Sequence, residues 1–369
     1  MNLKKITLTN FRNYEKESLE FGQGIHFIIG SNGEGKTNFL ESIYVLALAK
    51  SYKTSDLVLI RHQEDFAKVE ATVLSQSRLF DLSMIISASG KNAIINKTSQ
   101  KKLSDYIGHL QIVSFLPEDM NIIKGSPRER RYFFDVYMGQ MDKNYISNLG
   151  NYKYVLKQRN ELLKKMNQPN KEDDLLLDVI TEQLAEAARP VVEHRKKFIQ
   201  EINLFLEKQY HLFSSKNEYY RIQYLPSIET EIEKVMKSKY RTDKMSYTTN
   251  FGPHRDDYDF YLNDVMAKDY ASGGEQRTLI LTLDMALAEM MKDRLKEYPV
   301  ILLDDVFSEL DYEKQNKLIQ YLSKIQAQAI ITTTSLHELN QDALNNVKVF
   351  HVSKGHIQEE KQHGKSSKV

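Results

Sequence analysis

The sequence predicts an α/β fold of mixed sheets and helices, into which a second, mainly helical lobe is inserted. Short apolar runs typical of buried strands occur towards both ends of the chain, at GIHFIIG (24–30), PVILLDDV (299–306) and AQAIITTT (327–334). Between about residues 127 and 212 the pattern changes to long stretches rich in Leu, Lys, Glu and Tyr, which favour helices. A chain of 369 residues exceeds the usual single domain, so we expect one large domain with an insertion, or two domains.

The N-terminal region carries the pattern of a sheet and one long helix. LKKITLTNF (3–11) alternates apolar and polar residues, and segments 66–74, 79–87 and 92–95 are typical of strands joined by polar turns. After the first buried strand, apolar residues recur at the spacing of a helix, namely Phe39, Leu40, Ile43, Leu46 and Ala47.

The middle of the chain predicts long helices with two interruptions. QPNKEDD (168–174) has the composition of a loop, and the helix before Pro169 spans at most about 25 residues, or roughly 40 Å. Pro190 is expected to kink or end a further helix. Strand patterns return at YYRIQYLP (219–226). We therefore divide the chain into an N-terminal part of the α/β lobe at 1–115, an inserted helical lobe at 116–250 and a C-terminal part at 251–369.

Composition narrows the environment and the cofactors. The chain has no cysteine, which excludes disulfides, Cys-ligated zinc and iron–sulfur clusters, and fits a reducing compartment. No stretch approaches the roughly 18–20 consecutive apolar residues of a membrane span, and no signal-peptide pattern follows the N-terminus. We expect a cytoplasmic protein without membrane contact. The net charge of +1 predicts no particular partner, so any DNA-binding surface has to be a local patch.

Residues 30–37, GSNGEGKT, fit the phosphate-binding P-loop pattern GxxxxGK[ST] in full. The residues assigned to nucleotide binding are Gly30, Ser31, Asn32, Gly33, Glu34, Gly35, Lys36, Thr37 and the following Asn38. Backbone N–H groups of such a loop and of the following helix face the phosphates, Lys36 neutralises the β- and γ-phosphates, and the Thr37 hydroxyl ligates Mg²⁺. The alternative is a glycine-rich turn with a surface lysine, but a buried strand before the loop and an apolar helix after it favour ATP with Mg²⁺.

VILLDDVFSELD (300–311) is an apolar run that ends in two aspartates. A P-loop ATPase needs a carboxylate at a strand end beside the loop to hold Mg²⁺, and Asp304 suits that role. Because the next residue points elsewhere, Asp305 is the candidate catalytic base, beside Lys36, for activating the attacking water. An acidic turn after a strand is the alternative, and the complete P-loop in the same chain argues against it.

Ser272-Gly273-Gly274-Glu275 precedes an apolar helical run. As a capping box, Ser272 would cap the helix and Glu275 would reach back to the Ser272 N–H. Two glycines at a helix start also expose N–H groups at the positive end of the helix dipole, which suits an anion. Since the P-loop already holds its own phosphates, we expect this second element to contact a nucleotide bound to another copy of the chain.

These elements resemble the ABC-type ATPase head, and six segments in order resemble the RecF family of bacterial DNA repair proteins, which has such a head. The segments are LTNFRNYEK (8–16), GSNGEGKTNFLESIYVLA (30–47), FLPEDMNIIKGSPRERRYFFD (115–135), GPHRDDYDF (252–260), ASGGEQRTL (271–279) and ILLDDVFSELD (301–311). Several lie outside the nucleotide site, so generic ATPase similarity does not explain them. One departure is SGGEQRT, where the family more often carries SQGQQRT.

The resemblance implies roles for further residues. Arg12 and Asn13 of the FRNY segment would lie near the nucleotide, and Ser272 to Glu275 would act in trans on the partner's γ-phosphate. Thr333 or Thr334 would be a γ-phosphate sensor, although β-propensity alone also explains threonines there. Asp305 stands where many ABC ATPases have glutamate, and its shorter side chain would suit slow hydrolysis.

The resemblance also implies a function. It is that of an ATP-dependent DNA-binding protein of recombinational repair, replication restart and the SOS response to DNA damage. ATP would join two heads into a dimer that clamps DNA without regard to sequence, weak DNA-stimulated hydrolysis would release it, and other recombination mediator proteins would be partners. The alternatives are an SMC-like or transporter-type ABC ATPase gated by nucleotide; the predicted helix is short for a ring-forming SMC arm, and the flanking motifs argue against a transporter.

Basic clusters occur at 124–131, 97–102 and 195–197. For each cluster a solvated, ion-paired surface is the default interpretation, so the expectation of DNA binding depends on the resemblance. His254 stands in PHRDD with no second metal ligand at a useful spacing, and we expect a structural or interface role for it.

Overall fold

The fold is described from a computed structural model, which defines residues 1–166, 171–214, 218–336 and 347–360. The strands are β1 (Asn2–Phe11), β2 (Tyr14–Glu20), β3 (Ile25–Ile29), β4 (Phe66–Ser75), β5 (Arg78–Ser87), β6 (Gly90–Ile95), β7 (Thr98–Ser99), β8 (Ile112–Phe115), β9 (Tyr220–Leu225), β10 (Asp257–Leu262), β11 (Val265–Met266), β12 (Val300–Leu303), β13 (Ala329–Thr333), β14 (Lys348–Ser353) and β15 (His356–Glu359). The helices are α1 (Lys36–Leu48), α2 (Leu103–Tyr106), α3 (Asn121–Lys124), α4 (Pro127–Met141), α5 (Lys143–Lys165), α6 (Lys171–Gln209), α7 (Ile232–Ser238), α8 (Tyr240–Ser246), α9 (Ala267–Tyr270), α10 (Gly273–Leu295), α11 (Val306–Glu309) and α12 (Tyr312–Ile325).

The chain folds into two compact units. The first comprises Met1–Asp119, His211–Ser215 and Gly273–Val369, and the second comprises Met120–Tyr210 and Lys216–Ser272. The sequence placed the second boundary at 250, whereas the second unit continues to Ser272. The reason is strand pairing, because β9 and β10 form an antiparallel ladder with Tyr220 opposite Leu262, a partnership that local sequence does not reveal.

The first unit contains two six-stranded sheets. One is antiparallel in the order β2-β1-β4-β5-β6-β7, and its strands alternate between buried and exposed residues, as expected for a sheet with one face in the core. The other has the order β15-β14-β3-β13-β12-β8 and is parallel except for the β14–β15 pair. Its central strands are apolar runs buried on both faces, which is typical of parallel sheets covered by helices.

The second unit combines the helices α3 to α9 with the small sheet β11-β10-β9. Helix α5 has 23 residues, within the predicted limit, but α6 has 39 residues, or about 58 Å at 1.5 Å per residue. Pro190 was predicted to kink or end a helix, and the second alternative is wrong, because α6 continues through it. Proline removes one helical hydrogen bond, and packing of α6 against α5, α7 and β9 offsets that loss.

Candidate nucleotide-binding site

The parallel sheet of the first unit brings three candidate segments to one edge. β13 lies between β3 and β12 and pairs with both in parallel, so their carboxyl ends are neighbours. The P-loop follows β3, the threonine run ends β13, and Asp304 follows β12. Ligand sites in α/β sheets form at this edge, because the loops leave the strands there.

Close packing around the P-loop requires its glycines. Gly35 has φ +120°, and a Cβ there would lie 2.5 Å from Nδ2 of Asn13. At Gly30 a Cβ would lie 2.5 Å from the carbonyl oxygen of Val352, on β14. Real Cβ atoms do not approach other atoms so closely, so neither glycine tolerates a side chain without movement of its neighbours.

The Lys36 ammonium lies across the loop that precedes it. Its Nζ donates to the carbonyl oxygens of Gly30 at 2.7 Å and Ser31 at 3.1 Å. Burial lowers the pKa of Lys36, while the nearby charges of Asp305 and Asp304 act to raise it. A buried cation whose described hydrogen bonds go to loop carbonyls is suited to bind a phosphate group, since an anion would stabilise its charge.

Asp304 is hydrogen-bonded to two other segments of the site. Its Oδ1 accepts hydrogen bonds from the hydroxyls of Thr37 at 3.0 Å and Thr332 at 2.6 Å. Burial raises the pKa of Asp304, and the two hydroxyl donors act against that rise. The hydroxyl of Thr37 next to a buried carboxylate fits Mg²⁺, which in nucleotide sites takes its other ligands from phosphates and water. No group of three or more His, Cys, Asp or Glu suited to a metal occurs in the described parts of the chain.

Asp305 has a different environment from Asp304. Its backbone is left-handed, with φ 49°, and its N–H donates to the Thr332 hydroxyl at 2.8 Å. Its carboxylate accepts from the Ser308 hydroxyl at 2.9 Å. The turn therefore separates the two carboxylates, which agrees with different roles for them. The assignment of Asp305 as the base stays a prediction.

Among the threonines of β13, it is Thr332 that contacts both aspartates. Leu303 is opposite Ile331 in the β12–β13 ladder, so Thr332 comes level with Asp304. Thr333 is buried and donates to the carbonyl of Ser335 at 3.0 Å, while Thr334 is exposed. Sequence reasoning named Thr333 and Thr334 and missed Thr332, because only the register of the ladder decides which threonine of the run faces the aspartates.

The two residues of the FRNY segment have different neighbours. Asn13 borders the P-loop, donating to the Glu34 carbonyl at 3.1 Å and accepting from Asn38 Nδ2 at 2.8 Å. Arg12 instead forms a two-pronged contact with the fully buried carboxylate of Glu41, at 2.9 and 3.0 Å. Its guanidinium thus links the turn between β1 and β2 to α1.

The signature element lies at the start of α10. Gly273 and Gly274 are exposed, and an added Cβ at either would meet no atom within 4 Å. Ser272 precedes the helix and Glu275 is in its first turn. One turn further on, Arg277 forms an ion pair with Glu309 of the SELD turn. The glycines are therefore accessible, while the helix behind them is held to the turn that follows Asp305.

Fold and site together define an ABC-type ATPase head with a helical lobe, as the sequence predicted. The family model described as the RecF/RecN/SMC N terminal domain matches residues 2–358. A DNA replication and repair protein RecF from Staphylococcus aureus is 38% identical to this chain, covering 97% of it and 100% of the relative. The chain therefore belongs to the RecF family within the RecF/RecN/SMC group, which confirms the resemblance seen in the motifs.

Solved structures agree with this assignment. Structures described as the recombination mediator protein RecF with ATP and with ATPrS, in the RecFOR pathway, match with TM-scores of 0.88 and 0.87 at 30% identity. Each match covers 97% of this chain and at least 97% of the other. An Smc head domain from Pyrococcus furiosus matches with a TM-score of 0.57 at 17% identity, which indicates a shared fold. No helix within the described ranges is long and apolar enough to cross a membrane.

Proposed function

We propose that this protein is an ATP-dependent DNA-binding protein of recombinational DNA repair. ATP and Mg²⁺ bind at the P-loop and join two heads into a dimer that clamps single- and double-stranded DNA. Slow hydrolysis then separates the heads and releases the DNA. The protein acts in the cytoplasm with other recombination mediators, in replication restart and in SOS induction.

The observation that carries the nucleotide part is the joining of the P-loop to β12 through Asp304. The Thr37 hydroxyl, 3.0 Å from Asp304 Oδ1, would hold Mg²⁺ together with that carboxylate. The ion would neutralise phosphate charge when bound. Lys36 would exchange its loop carbonyls for the β- and γ-phosphates, and the free N–H groups at the start of α1 would face the same anion.

The dimer is proposed from the exposed start of α10. Free N–H groups at a glycine start, at the positive end of a 23-residue helix, attract an anion. The open space around Gly273 and Gly274 leaves room for one that belongs to a second molecule. A nucleotide clamped between a P-loop and a partner's signature element explains why one chain carries two anion-seeking helix starts.

The DNA part is supported by the family. The S. aureus relative is named a DNA replication and repair protein, and the two RecF structures are described as a recombination mediator of the RecFOR pathway. Contacts would be mainly to phosphates, so affinity should fall steeply with salt.

Light scattering tests the proposal. The protein is sized with no nucleotide, with ADP and with ATP, each with and without a mixed-sequence DNA duplex. We expect a monomer without ATP, a dimer with ATP and a DNA-bound dimer with both. Lys36→Ala should lose ATP binding and the dimer, whereas Ser272→Arg should keep ATP binding and lose only the dimer. A wild-type protein that stays monomeric with saturating ATP and DNA would contradict the proposal, as would a normal dimer of the Ser272 variant.

A further inference from the structure

The second unit contains arginines that are committed to internal acids. Arg130 is buried and binds both oxygens of Asp257, at 2.6 and 2.9 Å. Arg195 is 1% exposed and donates to Asp135 at 2.8 Å and Asp256 at 2.9 Å. Asp135, Asp256 and Asp257 are therefore neutralised by arginines of the same unit.

Glu129, the remaining acid of the SPRERR segment, is also occupied. Its carboxylate accepts from the backbone N–H of Ser126 at 2.6 Å and from the Ser126 hydroxyl at 2.9 Å, as the capping box of α4. These bonds lower the pKa of Glu129, so its negative charge is fixed at the helix start. It does not form an ion pair with the arginines that flank it, among the described residues.

Three other arginines of the same two motifs form no ion pair within the described ranges. Arg128 and Arg255 are exposed, and within the described ranges neither forms an ion pair or a side-chain hydrogen bond. Arg131 is half-buried and donates to the backbone carbonyl of Asp256 at 2.5 Å, next to Arg255 in the chain. Arg128 and Arg131 are three residues apart on α4, so their side chains leave the same face.

Two of these guanidinium groups, those of Arg131 and Arg255, are close enough to His254 to affect its pKa. Burial lowers the pKa of His254 to about 4, and the charges of Arg255 and Arg131 contribute to that lowering. Burial, followed by the charge of Arg195, also lowers the pKa of Arg131, while the charges of Asp256, Asp257 and Asp135 act to raise it. A guanidinium that is partly desolvated and close to another cation is stabilised when an anion binds to it.

We propose that Arg128, Arg131 and Arg255 form a phosphate-contact patch for the DNA backbone on the second unit. The proposal depends on the DNA binding proposed above and names residues for it. Guanidinium groups bind phosphate oxygens through two parallel hydrogen bonds, which suits sequence-independent contact. Because Asp135, Asp256 and Asp257 form their ion pairs with Arg195 and Arg130, none of the three patch arginines has an ion-paired carboxylate among the described residues.

The test uses the double variant Arg128→Gln/Arg255→Gln, because both residues are exposed and free of described partners, so their loss should not disturb folding. Arg241→Gln is the matched control, since Arg241 lies in the same unit, is exposed and also has no described partner. Affinity for a labelled mixed-sequence duplex is measured with ATP over a series of salt concentrations, with thermal melting of each variant alongside.

We expect the double variant to bind on the order of tenfold more weakly at moderate salt, with a slope of log affinity against log salt shallower by roughly 2, since each lost phosphate contact removes about 0.9. The Arg241 variant should bind like the wild type. Unchanged affinity and an unchanged salt slope in the double variant would overturn the proposed patch. Binding of the double variant to an acidic polypeptide such as polyglutamate would not alter that conclusion. If the wild type itself binds no duplex, the proposed function fails; if only the double variant is unaffected, that function stands and the patch alone is wrong.

Discussion

Two fully buried aspartates, one in each unit, have opposite charge environments. Asp256 in the second unit is paired with Arg195 at 2.9 Å and also accepts from the Ser227 N–H at 2.8 Å. In the first unit, the described hydrogen bonds to the carboxylate of Asp304 come from hydroxyls, and the charges of Lys53 and Lys36 act on it without a described ion pair. The chain thus supplies an ion-pair partner to Asp256 itself, whereas the Mg²⁺ proposed above would supply the positive charge beside Asp304. A buried carboxylate that is ion-paired within the fold contributes to stability, whereas one without an ion pair indicates a ligand-binding site.

The largest expected effect comes from removing the ion pairs of Arg195 with Asp256 and Asp135. Arg195→Met removes the cation and leaves the carboxylates of Asp135 and Asp256 without their ion pairs. We expect the free energy of unfolding to fall by about 4 kcal/mol, as measured by urea denaturation. Lys197→Met on the same helix is the control, because its side chain is 76% exposed and should change stability little. Equal effects of the two changes would show that the buried network is not stabilising.

The second effect concerns the nucleotide. Lys36→Ala removes the cation that faces the phosphates, and ATP affinity measured calorimetrically should fall by roughly 100-fold, the equivalent of about 3 kcal/mol. Lys16→Ala, at an exposed position of β2 in the same unit, should leave the affinity unchanged. Retained ATP binding by the Lys36 variant would place the triphosphate elsewhere.

A smaller effect distinguishes the threonines of β13. Thr332→Val removes the donor to Asp304 and the acceptor of the Asp305 N–H, so we expect the free energy of unfolding to fall by about 1–2 kcal/mol, together with ATP turnover. Thr333→Val removes only the bond to the Ser335 carbonyl and should alter stability less. If Thr333 is the γ-phosphate sensor, its variant will nevertheless lose turnover. Identical losses of stability in both variants would contradict the assignment of Thr332 as the shared partner.

The smallest expected effect is a gain in the free energy of unfolding, on substitution of Asp304. Because burial raises the pKa of Asp304, the folded protein holds this proton more tightly than the unfolded chain, and stability falls as pH rises through the raised pKa. Asp304→Asn removes that cost, so without nucleotide the variant should be more stable by about 1 kcal/mol near neutral pH, while Mg²⁺-dependent ATP binding weakens. The gain should shrink towards about pH 4. A variant that is less stable at every pH would contradict the interpretation of Asp304 as an uncompensated charge.

Local patterns in the sequence were sufficient for the strands of the first sheet and for the strand and helix on either side of the P-loop. The strands predicted at 66–74, 79–87 and 92–95 correspond to β4, β5 and β6, and the P-loop lies between a strand and a helix as expected. These features depend on residues close in the chain, whose periodicity and turn chemistry decide the local structure.

Features that depend on distant partners were not predictable. Arg195 belongs to a basic run in the sequence, and only the fold brings it to Asp135 and Asp256, both about sixty residues away. The choice of Thr332 required the register of β13 against β12, and the extension of the second unit to Ser272 required the pairing of β9 with β10. In each case the deciding contact joins segments that no local pattern links.

The packing of β14 against the P-loop affects when the protein can first bind its nucleotide. β14 pairs with β3, its Val352 carbonyl lies against Gly30, and the N–H of Lys354 donates to the carboxylate of Glu34. These contacts come from residues 348–354, which leave the ribosome more than three hundred residues after the loop they support. During synthesis the P-loop therefore lacks its contacts with β14 until the chain is almost finished. A truncated product without β14 should not bind ATP normally.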